Sequence, residues 1–202
     1  LLDAVRLNPG VRVVAHPAVF SQHLKSPDNG KNSRQWGIAS PRKTFEELGA
    51  VFDFTPVLKQ IVAGFWFTGS VPRVYEVTPD KHLVTVEGSF TIPDPLEDDC
   101  SLVMDTASGA ALLLGCAHAG VRNVLAHLRN KLAMEHVYAV IGGTHLGMSP
   151  ESETSSAIEA LERVDVQLLA PTHCTGRGPK AILKSYFGSR FSAAGAGAVF
   201  EL

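Results

Sequence analysis

The sequence predicts an α/β fold with layered sheets and helices, and three observations point there. Between residues 110 and 187 an apolar, β-rich run is followed by a helical pattern three times over, the signature of crossover connections. The first half is built from short segments rich in β-branched and aromatic residues, which suit strands. The three late apolar runs, "AALLLG", "VYAVIGG" and "VQLLAPT", each end in a turn of small residues, where the backbone must bend sharply into a helix.

In chain order, "LLDAVRL" reads as the back end of an amphipathic helix stopped by "NPG", with no capping residue before it. A chain that starts inside a helix suits a missing front portion. "VRVVA" (11–15) is a strand. Residues 21–44 are polar and turn-rich and read as a surface excursion. "TFEELGA" is a short helix. "QIVAGFWFTG", "RVYEVT" and "HLVTVEGSF" read as strands, and "TIPDPLEDD" as a Pro- and Asp-rich loop. "SLVMD" and "AALLLG" flank a hairpin turn, "TASG". Helices are predicted near 119–133, 151–163 and 179–187, and "GAVFEL" reads as a closing strand. No internal repeat or boundary interrupts the chain, so residues 1–202 are expected to form a single domain.

Bulk properties exclude several function classes. The chain has 202 residues, 45% of them hydrophobic, and a formal charge of −2. No basic stripe suits nucleic acid, and no apolar stretch approaches a membrane span. Three cysteines, with no Cys-x-x-Cys, argue against a disulfide framework and suit a reducing cytoplasm.

The turns after the three late strands each carry a histidine: His118 in "LLLGCAHAG", His145 in "AVIGGTHLG" and His173 in "LLAPTHCTG". Ligands bind off the carboxyl ends of strands in such folds, and neutral imidazole is a common ligand for zinc and related metals. A lone strand-end histidine is usually structural, but three in one topological place predict a shared site. Cys116 and Cys174 sit beside His118 and His173; a mixed Cys/His site is conceivable, while small buried fillers are the simpler expectation. His127 and His136 are expected to be solvated, and His16, His23 and His82 structural. The "EDD" tract (97–99) has the carboxylates to bind a cation, but a solvated loop is the simpler expectation. "GAGAVF" precedes a strand rather than a helix, so it is not a dinucleotide loop. No Gly-x-Ser-x-Gly occurs.

"GCAHAGVRNVL", "VIGGTHL" and "APTHCTG", in this order and spacing, resemble the second half of a metallo-β-lactamase-fold hydrolase, closest to the dihydropterin-ribofuranosylaminobenzene-phosphate synthase-like subgroup. "NPGVRVVAHPAVF", "FTGSVPRVYE" and "EDDCSLVM" are also similar to that subgroup, so the resemblance spans nearly the whole chain. It implies an αββα sandwich with a binuclear metal site on one edge, incomplete at the N-terminus of this sequence. His118 and His173 match metal motifs. His145 falls where the superfamily usually has a bridging acidic residue, which leaves its role open between ligand and substrate contact. Thr175 and Gly176 share the turn of His173 and are expected to touch substrate. The superfamily's first metal motif, His-x-His-x-Asp-His, does not occur in this sequence.

The resemblance implies a metal-dependent hydrolase that attacks an ester, phosphoester or thioester with metal-bound hydroxide. The cofactor expected is zinc, or another divalent transition metal such as manganese or iron, in a site that His118 and His173 alone would leave incomplete. The implied partner is a small, phosphorylated molecule. An edge left by absent strands predicts that this chain alone is poorly stable, or pairs with a second copy or with the missing piece. The rival expectation is a non-catalytic remnant of the fold that acts in binding or assembly.

Overall fold

A computed structural model describes residues 1–26 and 32–202. The strands are β1 (Arg12–Ala15), β2 (Leu24–Lys25), β3 (Arg34–Gln35), β4 (Val51–Phe54), β5 (Lys59–Val62), β6 (Phe65–Phe67), β7 (Leu83–Glu87), β8 (Phe90–Pro93), β9 (Leu102–Thr106), β10 (Gly109–Leu114), β11 (Ala139–Gly142) and β12 (Leu168–Pro171). The α-helices are α1 (Leu2–Leu7), α2 (Arg42–Glu47), α3 (Val121–Leu132), α4 (Glu151–Arg163) and α5 (Arg177–Phe187). The chain divides into two compact units, Leu1–Pro56 with Pro79–Asp98, and Val57–Thr78 with Asp99–Leu202. No described helix is long and apolar enough to cross a membrane.

In the first unit β1 and β4 run parallel, with Val13 opposite Phe52. An antiparallel sheet takes the order β3-β2-β7-β8. Val5, Phe45 and Ala50 form a small core, against which Phe20 and Phe52 pack. The Phe20 ring meets Phe52 edge-on at 5.3 Å, a geometry aromatic quadrupoles favour. Within the expected excursion at 21–44, β2 and β3 are strands, and His23 and Ser26 are buried. Residues 27–31 of that segment lie outside the described residues. His23 donates from Nδ1 to Asp94 (2.6 Å) and from Nε2 to the Ala18 carbonyl (3.2 Å), with Asp98 3.3 Å from Nε2. These contacts, that with Asp94 foremost, raise the imidazole from its ordinary 6.5 to about 10.

The second unit carries a six-stranded sheet in the order β12-β11-β10-β9-β6-β5. β10, β11 and β12 are parallel; β9, β6 and β5 are antiparallel additions. The strands are apolar because the helices cover them: Leu112, Val140 and Leu169 pack in one core with Val124 and Leu128 of α3, Leu161 of α4 and Leu183 of α5. Parallel strands need such a cover. The helix predicted at 151–163 is found there, and the other two lie within two residues of their expected starts.

Four expectations need correction. "RVYEVT" forms no strand. The Asn123 carboxamide accepts from the Tyr75 N–H (2.8 Å) and donates to the Tyr75 carbonyl (2.9 Å), replacing a ladder partner. "GAVFEL" forms no strand either: β12 is bridged on its outer side by Phe191, and Val199 is 87% exposed. The "TIP" of the expected loop belongs to β8, paired with β7. His127 is buried rather than solvated, and its Nε2 meets the Thr68 carbonyl at 3.1 Å. Burial holds its pKa below the ordinary histidine value.

Candidate functional site

Register brings the three turns together. Leu114, Gly142 and Pro171 are aligned across β10, β11 and β12, and His118, His145 and His173 follow four, three and two residues later. The backbone continues the pairing past the strands: Gly143 donates to the Gly115 carbonyl (3.0 Å) and Thr172 to that of Gly142 (2.8 Å). The turns therefore leave the sheet together at its carboxyl edge.

His118 and His145 lie ring to ring, with centroids 4.0 Å apart and both side chains half-buried. His145 holds a left-handed backbone (φ 51°), as does Ala117 next to His118 (φ 56°). Such conformations cost energy in non-glycine residues and cluster at functional sites. His173 is exposed and faces the cysteines instead. Its Nε2 is 3.0 Å from Cys116 Sγ, and its Nδ1 is 3.0 Å from the Thr172 hydroxyl. Cys174 Sγ accepts the His145 N–H at 3.3 Å. One ligand atom each from Cys116, His173 and Cys174 lies within 4.8 Å of the others. The three histidines thus share an edge as two neighbouring groups, an imidazole pair and a thiol–imidazole cluster.

None of the three cysteines forms a disulfide. Cys116 and Cys174 are half-buried and hydrogen-bonded to the site, which corrects the expectation that they are fillers. The Cys174 thiol is held below its ordinary range, first by a hydrogen bond from Cys116, while that same contact and burial push the Cys116 thiol up.

Two supports were hidden in the sequence. Asp99, within the "EDD" tract, accepts the backbone N–H groups of Cys116 (3.3 Å) and His118 (2.5 Å), so a carboxylate anchors the loop that carries His118. Desolvation nevertheless pushes its pKa up. Gly143 is the second. A Cβ there would lie 2.6 Å from Cys174 Sγ and 2.7 Å from His173 Cε1, so only glycine lets these side chains converge. Spacing does not mark out either residue; only the register of the turns does.

Thr175 is fully buried, and its hydroxyl accepts from the Thr144 hydroxyl at 3.0 Å, which ties the His145 and His173 turns together. Gly176 packs against Gly147 at the start of α5 with φ 77°. A separate groove of about 690 Å³ runs between the Arg73–Thr78 segment and the first turns of α4; none of the three histidines lines it.

Mixed α/β architecture, with helices covering the sheet that carries the histidine edge, matches a metallo-β-lactamase type of fold. A solved metal-dependent hydrolase of the β-lactamase superfamily, Tm1679, superposes with a TM-score of 0.84, covering 98% of this chain and 73% of its own at 23% identity. In sequence, the chain is 23% identical over 199 residues to a protein of Methanocaldococcus jannaschii named 7,8-dihydropterin-6-methyl-4-(beta-D-ribofuranosyl)-aminobenzene-5'-phosphate synthase, covering 96% of this chain and 67% of that protein. It is 28% identical over 165 residues to an uncharacterized protein of the same organism, covering 82% of this chain and 59% of that one. No protein-family model matches the chain.

Proposed function

We propose that this chain carries the metal-holding edge of a metal-dependent hydrolase acting on an ester, phosphoester or thioester. The observation that carries the reading is the placement of His118, His145 and His173 on three turns leaving aligned parallel strands. The donors fit a zinc-like ion: imidazole nitrogens lie beside thiols, the chemistry that zinc and its neighbours take and magnesium does not. When bound, such a metal polarises a carbonyl or phosphoryl oxygen and acidifies a water.

The chain's own residues do the positioning. Asp99 fixes the His118 loop through its backbone, and the Thr144–Thr175 bond fixes the other two turns against each other. His145, on its left-handed turn, presents its ring to His118, which supports a role in holding metal or in orienting substrate. Gly176 lets the His173 turn pack closely on Gly147, just after His145, where a Cβ would stand 2.6 Å from the Gly147 Cα. The similarity to a named phosphate synthase supports a small phosphorylated substrate, and three cysteines outside any disulfide suit the reducing cytoplasm. Pairing with a second copy belongs to the same proposal.

The test is a panel of phosphoester, thioester and carboxylic ester substrates with zinc-, manganese- or iron-loaded protein. Hydrolysis that disappears on chelation and in His118→Ala is expected. Metal binding without turnover of any substrate would overturn the hydrolase reading in favour of a binding or assembly role.

A further inference from the structure

We propose that Cys116, His173 and Cys174 form a thiolate-bearing site for a zinc-type ion, so that this edge holds its metal through sulfur as well as imidazole. The inference rests on the metal-holding edge of the hydrolase reading and adds Cys116 and Cys174 as ligands beside His173. Its basis is geometric. The three ligand atoms lie within 4.8 Å of one another, and Cys116 Sγ is 3.0 Å from His173 Nε2. Tetrahedral zinc with bonds of about 2.3 Å to sulfur and about 2.0 Å to nitrogen needs ligand–ligand edges of roughly 3.5–3.8 Å. The cluster must therefore open slightly between Cys116 and His173, a change within the reach of side-chain rotation.

The surroundings support ligation. With Nδ1–H donating to the Thr172 hydroxyl, His173 turns the Nε2 lone pair towards Cys116. Hydrogen bonding of this kind fixes the tautomer of metal-binding histidines. The His145 N–H points at Cys174 Sγ, where it would stabilise a thiolate. Gly143 leaves the space between Sγ and the ring unfilled. Binding displaces the thiol protons to solvent and forms two metal–sulfur bonds and one metal–nitrogen bond. Three protein ligands leave a fourth position open, as in catalytic rather than closed structural sites. Soft donors select zinc or cobalt over magnesium and calcium.

The test is a titration of the metal-free full chain with cobalt(II), which reports sulfur ligation through a thiolate-to-cobalt charge-transfer band. The band is expected in the wild type and in His136→Ala, an exposed histidine outside the site. It should weaken with at least about 100-fold poorer affinity in Cys116→Ser and in Cys174→Ser. Zinc should also slow alkylation of Cys116 and Cys174 in the wild type, read by mass spectrometry, which does not depend on the variants folding. Cobalt binding without the band, or zinc that leaves both thiols equally reactive, overturns this proposal alone. Absence of any binding overturns the hydrolase reading with it.

Discussion

Gly143→Ala is a purely steric perturbation of the site. Gly143 does not have a positive φ, so alanine meets no backbone penalty there. Its Cβ would stand 2.6 Å from Cys174 Sγ, 2.7 Å from His173 Cε1 and 2.7 Å from the Gly115 carbonyl oxygen. Ordinary contact begins at 3.4 Å, so roughly 0.7–0.8 Å must be found on three sides. The Gly115 carbonyl cannot retreat freely, because it accepts the Gly143 N–H. The side chains must move instead. Overpacking of this kind costs about 1–3 kcal/mol. Metal sites tolerate distance errors of only about 0.2 Å, so zinc affinity should fall by about tenfold or more. Urea unfolding of the metal-free protein and a competitive zinc titration read the two effects separately. Gly178→Ala, inside α5 with no atom within 4 Å of its Cβ, is the control and should stabilise by about 0.5–1 kcal/mol. If Gly143→Ala unfolds within about 0.5 kcal/mol of wild type and keeps its zinc affinity, the close packing of the turns has been misjudged.

Three further outcomes are expected. Asp99→Ala strands the N–H groups of Cys116 and His118 and should cost about 2–4 kcal/mol in urea unfolding, with Asp99→Asn intermediate; a change near zero would remove Asp99 from the site's support. His145→Gly should leave stability unchanged or raised by up to about 1 kcal/mol, because it relieves a left-handed non-glycine residue, yet abolish hydrolysis; retained turnover would reduce the ring to a structural role. His23→Ala breaks a buried ion pair and should destabilise the first unit by about 3–5 kcal/mol. Because the folded pKa is raised, that contribution is complete below pH 6.5 and fades as pH rises through about 10. A difference between wild type and variant that is constant or grows over this range would contradict the ion pair.

The second unit was the more legible in sequence, for a physical reason. Its strands and helices alternate with strong periodicity, and its core residues fall on single faces, as at Val124 and Leu128 of α3. The histidines could be placed on one edge because parallel crossovers return every strand in the same direction. Their grouping was not legible. His173 joins the cysteines rather than the other imidazoles because the turns leave the strands at different lengths. "RVYEVT" has strand composition, but a side chain 48 residues away in sequence takes its backbone partners. Asp99 looked solvated because its acceptors' partners are backbone groups on a distant loop.

The most direct test of the metal-holding edge is the metal content of the chain, measured by elemental mass spectrometry on protein purified without chelator and again after zinc reconstitution. About one zinc per chain or more, falling in His173→Ala, is the expected result. A folded chain that carries none after reconstitution contradicts it.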